Sequence, residues 1–295
     1  MRQTTPPSDC LFLDPTQRRV QLNPHDDRFF QDPYPAYALL NREAPVFYWE
    51  EFGHWCLAGY DDVNRLFRDK RFGRERPGGY MAAVTAKGDR SHLAAFDAVE
   101  AGSMLELEPP VHTRLRTLVN RAFVSRQVEK LRPRIEKLSH RLIDDFEVAG
   151  TVDLIPAFAT PLPATVIAEM MGLPADTGPQ LVAWSNDMVR MYMHAPTRAV
   201  EEQANTSAKA FSEFITFHAA ERRRNPGDDL LSVLIAARED GEKLSEDELV
   251  SSAILLLNAG HEATVHQTGN AVRTILAQGG DPRRFFTSPE ATAAT

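Results

Sequence analysis

The sequence predicts a mainly α fold with a small β part. Three observations carry that expectation. Beyond Pro110, apolar residues recur at three- and four-residue spacing through nearly every segment. Aromatic and β-branched residues flank a turn signal in one stretch, APVFYWEEFGHWCLAGY at 44–60. Late in the chain a capped helical pattern runs from Ser245 to Ala277.

In chain order, residues 1–23 contain no apolar run long enough for a signal peptide or membrane span and are expected to be a loosely ordered arm. Residues 33–44, opened by prolines, predict a short helix, and 44–60 predict a hairpin turning at Glu50, Glu51, Phe52 and Gly53. Asp61 and Asp62 ahead of Val63, Leu66 and Phe67 mark an acidic helix start. Residues 70–103 crowd Arg, Gly and Pro together and predict a long functional loop. Helices are expected over 110–124, 125–148 with a break at Pro133, 163–172, 178–193, 197–225 and 229–239. TVDLIP at 151–156 predicts the one strand among them. Ser245 and Glu248 then form a capping box, and Gly279 and Gly280 end a helix of about 32 residues, roughly 48 Å long. A helix of that length is expected to cross its domain with both flanks packed. Ser288 as N-cap and Pro289 at the first helical position open a further helix, which stops about one and a half turns in. No repeat, linker or clear boundary divides residues 24–295, which are expected to form the N-terminal three-quarters of a single domain.

A hydrophobic fraction of 43% with 25% charged residues is the composition of a globular protein with a sizeable core. The net charge of −8 argues against nucleic acid, whose phosphates call for surplus Lys and Arg. Two cysteines, Cys10 and Cys56, make no disulfide framework. No membrane association is expected, and the cytoplasm is the expected location.

AGHEATVH at 259–266 looks like a zinc motif with altered spacing. In H-E-x-x-H the histidines lie four apart, about 40° from each other around a helix. His261 and His266 are five apart, roughly 140°, so a regular helix cannot turn both to one ion. A metal hydrolase using Glu262 is disfavoured for the same reason. A core reading explains Leu255, Leu256 and Leu257 but not Gly260, which costs about 1 kcal/mol relative to Ala inside a helix. Such a Gly is useful where something bulky lies against the backbone. Earlier, in EPPVHTRLR, His112 and Arg116 stand four apart on one helical face. Arg can grip a carboxylate through two bonds and His can add a third, which suits an anionic ligand; a solvated basic face is the alternative.

Together, EPPVHTRLR and LLLNAGHEAT about 145 residues later resemble the cytochrome P450 family, in particular its soluble bacterial members. The resemblance extends from about residue 24 onward. It implies a P450-like fold and a haem, with His112 and Arg116 at the propionates and Ala259 and Gly260 at the bend over the haem where dioxygen binds. Glu262 matches the acid of the proton-delivery pair. The loop at 70–103 and the segment around 184–200 would cover the substrate pocket. The implied activity is insertion of one oxygen atom of O₂ into an organic small molecule, with electrons from a ferredoxin- or flavodoxin-type donor. Arg114, Arg121 and Arg126 are candidates for that donor's docking surface, or for a merely solvated face.

Two departures qualify the resemblance. The family usually places Thr directly after the acid, to pass protons to dioxygen; here Ala263 stands there and Thr264 follows, about 100° further round the helix. Thr264, ordered water or a substrate hydroxyl would then carry the proton. The family also takes its axial thiolate from a C-terminal Cys loop, preceded by an E-x-x-R pair, and neither follows LLLNAGHEAT here. EFGHWCLAG at 51–59 resembles that loop only superficially, and Cys56 reads as a strand residue. The expectation is a chain that lacks its axial ligand and is not competent alone. A non-catalytic helical scaffold, or a remnant without haem, is the alternative.

Overall fold

The computed structural model of the protein describes residues 10–75, 78–85, 88–122, 125–237 and 243–294, with 122, 125–130, 289, 293 and 294 described by their backbone only. Where the sequence shows no boundary, the chain divides into two compact units, Met1–Gly73 and Arg74–Thr295.

The smaller unit is built on a four-stranded sheet in the order β1 (Leu11–Asp14), β2 (Arg19–Leu22), β3 (Val46–Trp49), β4 (His54–Leu57). The outer pairs are antiparallel and β2 runs parallel to β3. The expected hairpin is thus present, with Phe47 opposite Cys56 and Tyr48 opposite Trp55. Its turn needs Gly53, whose φ of +68° lies in the left-handed region that a residue with a Cβ avoids. The loosely ordered arm expected over 1–23 is, from Leu11 to Leu22, a second hairpin; residues 1–9 lie outside the described residues. Asp14 Oδ1 accepts hydrogen bonds from the amides of Thr16 and Gln17 at 2.9 and 3.0 Å and so makes the turn. Alternation along β2 buries Val20 and Leu22. Two helices, α1 (Asp27–Gln31) and α2 (Tyr34–Glu43), lie between the hairpins in sequence, and α3 (Tyr60–Leu66) follows with Asp61 and Asp62 in its first turn. Leu40 of α2 joins Val20, Leu22, Ala44 and Phe47 in one small core.

The larger unit is helical. Residues expected as a long loop contain α4 (Gly79–Thr85) and α5 (Ala94–Ala101). The crowded Arg and Gly residues hide the helical pattern AAFDAVEA, in which Phe96 and Val99 are buried. Next come α6 (Val111–Ala122) and α7 (Ser125–Glu147). Helix α7 runs through Pro133 rather than breaking there. Proline removes one backbone hydrogen bond, but Leu138 beyond it is buried, and Arg134 binds Glu169 through Nε at 2.7 Å. The predicted strand at 151–156 is also corrected. Asp153 accepts the amide of Ile155 at 3.1 Å, and a π-helical turn, Ile155–Ala159, leads into α8 (Pro161–Met170). β-branched residues favour a strand only when a partner strand is beside them.

The remaining helices are α9 (Gly178–Val189), α10 (Arg198–Arg224), α11 (Leu230–Ala236), α12 (Glu246–Ala277) and α13 (Pro289–Ala294). Helix α10 buries Ala204, Ala208, Phe211, Ile215 and Ala219, a stripe at three- and four-residue spacing, and packs on α5, α9, α11 and α12. The capping box of α12 is present in both directions, Ser245 to the Glu248 amide and Glu248 to the Ser245 amide. Among the described residues the buried side chains of α12 all lie in its first half, although Gly269 in the second comes close to Ile155. Burial extends from Leu249 to His261, and no residue from Glu262 to Ala277 is buried. Gln267, Asn270, Arg273 and Thr274 supply the polar side chains of that second half. Among the described residues no helix is long and apolar enough to cross a membrane.

Candidate functional site

Helix α12 runs unbroken through Gly260. The bulky group against that glycine is Ile167 of α8: a Cβ built on Gly260 would stand 2.8 Å from Ile167 Cγ1 and 2.9 Å from Cδ1. The glycine therefore permits a close approach of two helices. Beside it, Ala259, Gly260 and Thr264 line an apolar cavity of about 450 Å³ with Ile135 of α7 and Leu162 and Met170 of α8. Ala263 and Thr264 line a second cavity, of about 830 Å³, which follows α12 to Ile275 and reaches Phe286. Thr264 is thus shared by both, while Ala263 faces only the second.

Glu262 is half-buried, and its carboxylate has no hydrogen-bond partner among the described residues. Two positions separate it from Thr264, about 200° around the helix, so the acid and the hydroxyl point to opposite sides. Thr264 Oγ1 reaches back to the Gly260 carbonyl at 3.5 Å, the outer limit of a hydrogen bond. His261 is buried and its Nδ1 bonds the Leu257 carbonyl at 2.8 Å, whereas His266 is exposed. The two rings occupy different surroundings, as their spacing requires.

On α6 the apolar face buries Leu115, Leu118 and Val119. His112 is half-buried and Arg116 exposed, one turn apart, and neither side chain has a partner among the described residues. Free donors on adjacent turns are what an anionic group such as a haem propionate would need. Of the three arginines considered for docking, Arg114 is instead paired with Glu248 of α12. Arg121 is exposed, though not without a partner, and the side chain of Arg126 lies outside the described residues.

The two cysteines both lie in the sheet unit. Both Cys10 and Cys56 are half-buried and pack on the small apolar core of the sheet unit. Burial pushes the Cys56 thiol up, the opposite of what a thiolate ligand requires.

The two segments expected to cover a substrate pocket do meet around one cavity, of about 640 Å³, lined from Arg74 to Glu106 and from Met191 to Glu201. Its polar wall was not read from the sequence. Glu100 is buried, and Tyr192 Oη donates to its two carboxylate oxygens, each at 3.0 Å. Burial pushes Glu100 up to about 7, and Tyr192 is likewise raised. Behind them Arg90 and Tyr80 bind the buried Asp97 at 2.7 and 3.1 Å. The available signal was two acids three apart, Asp97 and Glu100, in a helical pattern whose neighbours Phe96 and Val99 are apolar.

No protein-family model matches the chain. It is 39% identical over 254 residues to cytochrome P450 107B1 of Saccharopolyspora erythraea, an overlap covering 85% of this chain and 61% of that protein. It is 32% identical over 283 residues to the polyketide biosynthesis cytochrome P450 PksS of Bacillus subtilis, covering 93% of this chain and 67% of PksS. Among solved structures, that of CalO2 matches with a TM-score of 0.78 at 27% identity, over 90% of this chain and 64% of CalO2. The chain thus spans 61–67% of the length of these two sequence relatives. Similarity that runs through almost all of the present residues, on the same mainly helical scaffold, decides the kinship: the chain belongs to the cytochrome P450 family.

Proposed function

We propose that the complete protein is a cytoplasmic haem-thiolate monooxygenase acting on an organic small molecule, with electrons from a ferredoxin- or flavodoxin-type donor. The observation that carries this reading, beyond family membership, is the pair of donors His112 and Arg116 on one edge of α6, whose side chains have no partner among the described residues. They would hold the haem propionates, and Ala259, Gly260 and Ala263 would lie along the haem-facing side of α12. When bound, the haem supplies the activation of O₂ that inserts one oxygen atom into the substrate. Neither Cys10 nor Cys56 serves as its axial ligand.

The chain's own residues would manage protons and water. Glu262, half-buried and without a partner among the described residues, takes up protons from solvent; with Thr264 on the opposite side of the helix, ordered water or a substrate hydroxyl hands them on. The cavity between the segments 74–106 and 191–201 would receive the substrate.

The test is a haem titration of the purified protein, followed by reduction and a carbon monoxide difference spectrum. Haem uptake that weakens about tenfold in His112→Ala and Arg116→Ala supports the propionate assignment, since each loses a charge-assisted bond. Failure to take up haem would favour a non-catalytic scaffold. A thiolate-type Soret band from this chain that vanishes in Cys56→Ser would overturn the exclusion of Cys56.

A further inference from the structure

The polar wall of the 640 Å³ cavity is unevenly matched in charge. Each arginine that lines it already has a carboxylate: Arg74 binds Glu106 at 2.5 Å, Arg90 binds Asp97 at 2.7 Å, and Arg198 binds Glu202 at 2.7 Å. His92 is likewise held by Glu201 at 2.9 Å. Glu100 forms no ion pair among the described residues; Arg74 attracts it from a distance but is bound to Glu106. Among the described residues the only hydrogen-bond partner of Glu100 is the phenol of Tyr192, although the side chain is 95% withdrawn from solvent. Burying a carboxylate without a positive partner is unfavourable. The cavity also presents the rings of Tyr80, Phe96 and Tyr192. A carboxylate without an ion-pair partner, in a cavity lined by aromatic side chains, is the chemistry that selects an organic ammonium.

We propose that this cavity is a recognition site for a protonated or quaternary amine carried on an organic ligand, with the Glu100 carboxylate as counter-ion and Tyr80, Phe96 and Tyr192 as the rings around it. That the amine belongs to the oxidised substrate rests on the monooxygenase reading; the cavity's preference for a cation does not. The charged and titratable groups facing Glu100 are Arg74, Tyr80, Asp97, Glu106 and Tyr192, and a bound ammonium would offset the burial that now favours its neutral form.

Equilibrium dialysis against benzyltrimethylammonium, which cannot ligate iron through nitrogen, and against its carbon isostere neopentylbenzene tests the proposal. The cation should bind the wild-type chain, and Glu100→Gln should weaken it about tenfold while leaving the isostere unchanged. Tyr192→Phe, which keeps the ring and the carboxyl, should retain cation binding. Equal binding of the cation to wild type and Glu100→Gln overturns the proposal. A second readout needs only the wild type: saturating benzyltrimethylammonium should move the titration of the Glu100 carboxyl carbon, followed by NMR, to lower pH. An unmoved titration overturns the proposal independently of any variant. In haem-loaded complete protein, a Soret response to the same cation supports its place in the substrate cavity. Cation binding by dialysis without that response keeps the amine site and sinks its role in substrate binding.

Discussion

Ile167 of α8 occupies the volume that a side chain at position 260 would need, with its Cγ1 2.8 Å from where a Cβ would stand. In an open helix, Gly→Ala stabilises by about 1 kcal/mol. Here Gly260→Ala is expected to destabilise by about 1–3 kcal/mol in urea titrations, because overpacking outweighs the propensity gain. In an Ile167→Ala background the same change should become neutral or stabilising. Additive effects of the two changes would refute the contact.

Glu100 gives stability a pH dependence of known sign. Burial raises its folded pKa from the ordinary 4.5 to about 7, so folding favours the protonated form. This contribution is complete below pH 4.5 and lost as pH rises towards 7, on the order of 3 kcal/mol across that window. Glu100→Gln keeps an oxygen for Tyr192 but cannot ionise. Comparing urea midpoints at pH 5 and pH 8, the variant should gain on wild type at the higher pH. Parallel curves would show that Glu100 does not titrate in this range.

The start of α12 depends on its cap. Ser245→Ala removes one partner of the box and should lower stability by about 1 kcal/mol. Glu248→Gln keeps an acceptor for the Ser245 amide but loses the charge that binds Arg114; the further loss should stay below about 1 kcal/mol for so partly exposed a pair. Hydrogen exchange of the first-turn amides distinguishes the two, since only Ser245→Ala should speed that of Glu248.

Thr264→Ala in the complete protein should leave product formation within a few-fold of wild type, because Thr264 faces away from Glu262. If Thr264 were itself the proton donor, its loss would cost about 10²–10⁴-fold in rate. Ala263→Thr, which fills the second cavity beside α12, should change product formation more than Thr264→Ala does. Single-turnover assays of both variants decide the order.

Most helices were legible because burial on one face imposes a 3.6-residue rhythm, as the stripe from Ala204 to Ala219 shows. The rhythm failed where other signals crowded it, as in AAFDAVEA, or where composition mimicked a strand that has no partner, as at 151–156. Pro133 predicted a break from local chemistry alone, and packing on α8 overrode it. For the candidate site, His112 with Arg116 and Ala259 with Gly260 could be proposed from the sequence because each pair is local to one helix. Glu100 and Tyr192 lie 92 residues apart, and only the fold brings a phenol to that carboxylate.

Glu248 closes the cap of α12 with one oxygen and holds Arg114 of α6 with the other. Arg114 sits two residues from both His112 and Arg116. One carboxylate therefore ties together the two helices that carry the candidate haem contacts. Shortening it to Asp would withdraw that tie while leaving every candidate contact residue unchanged, so the two effects can be separated.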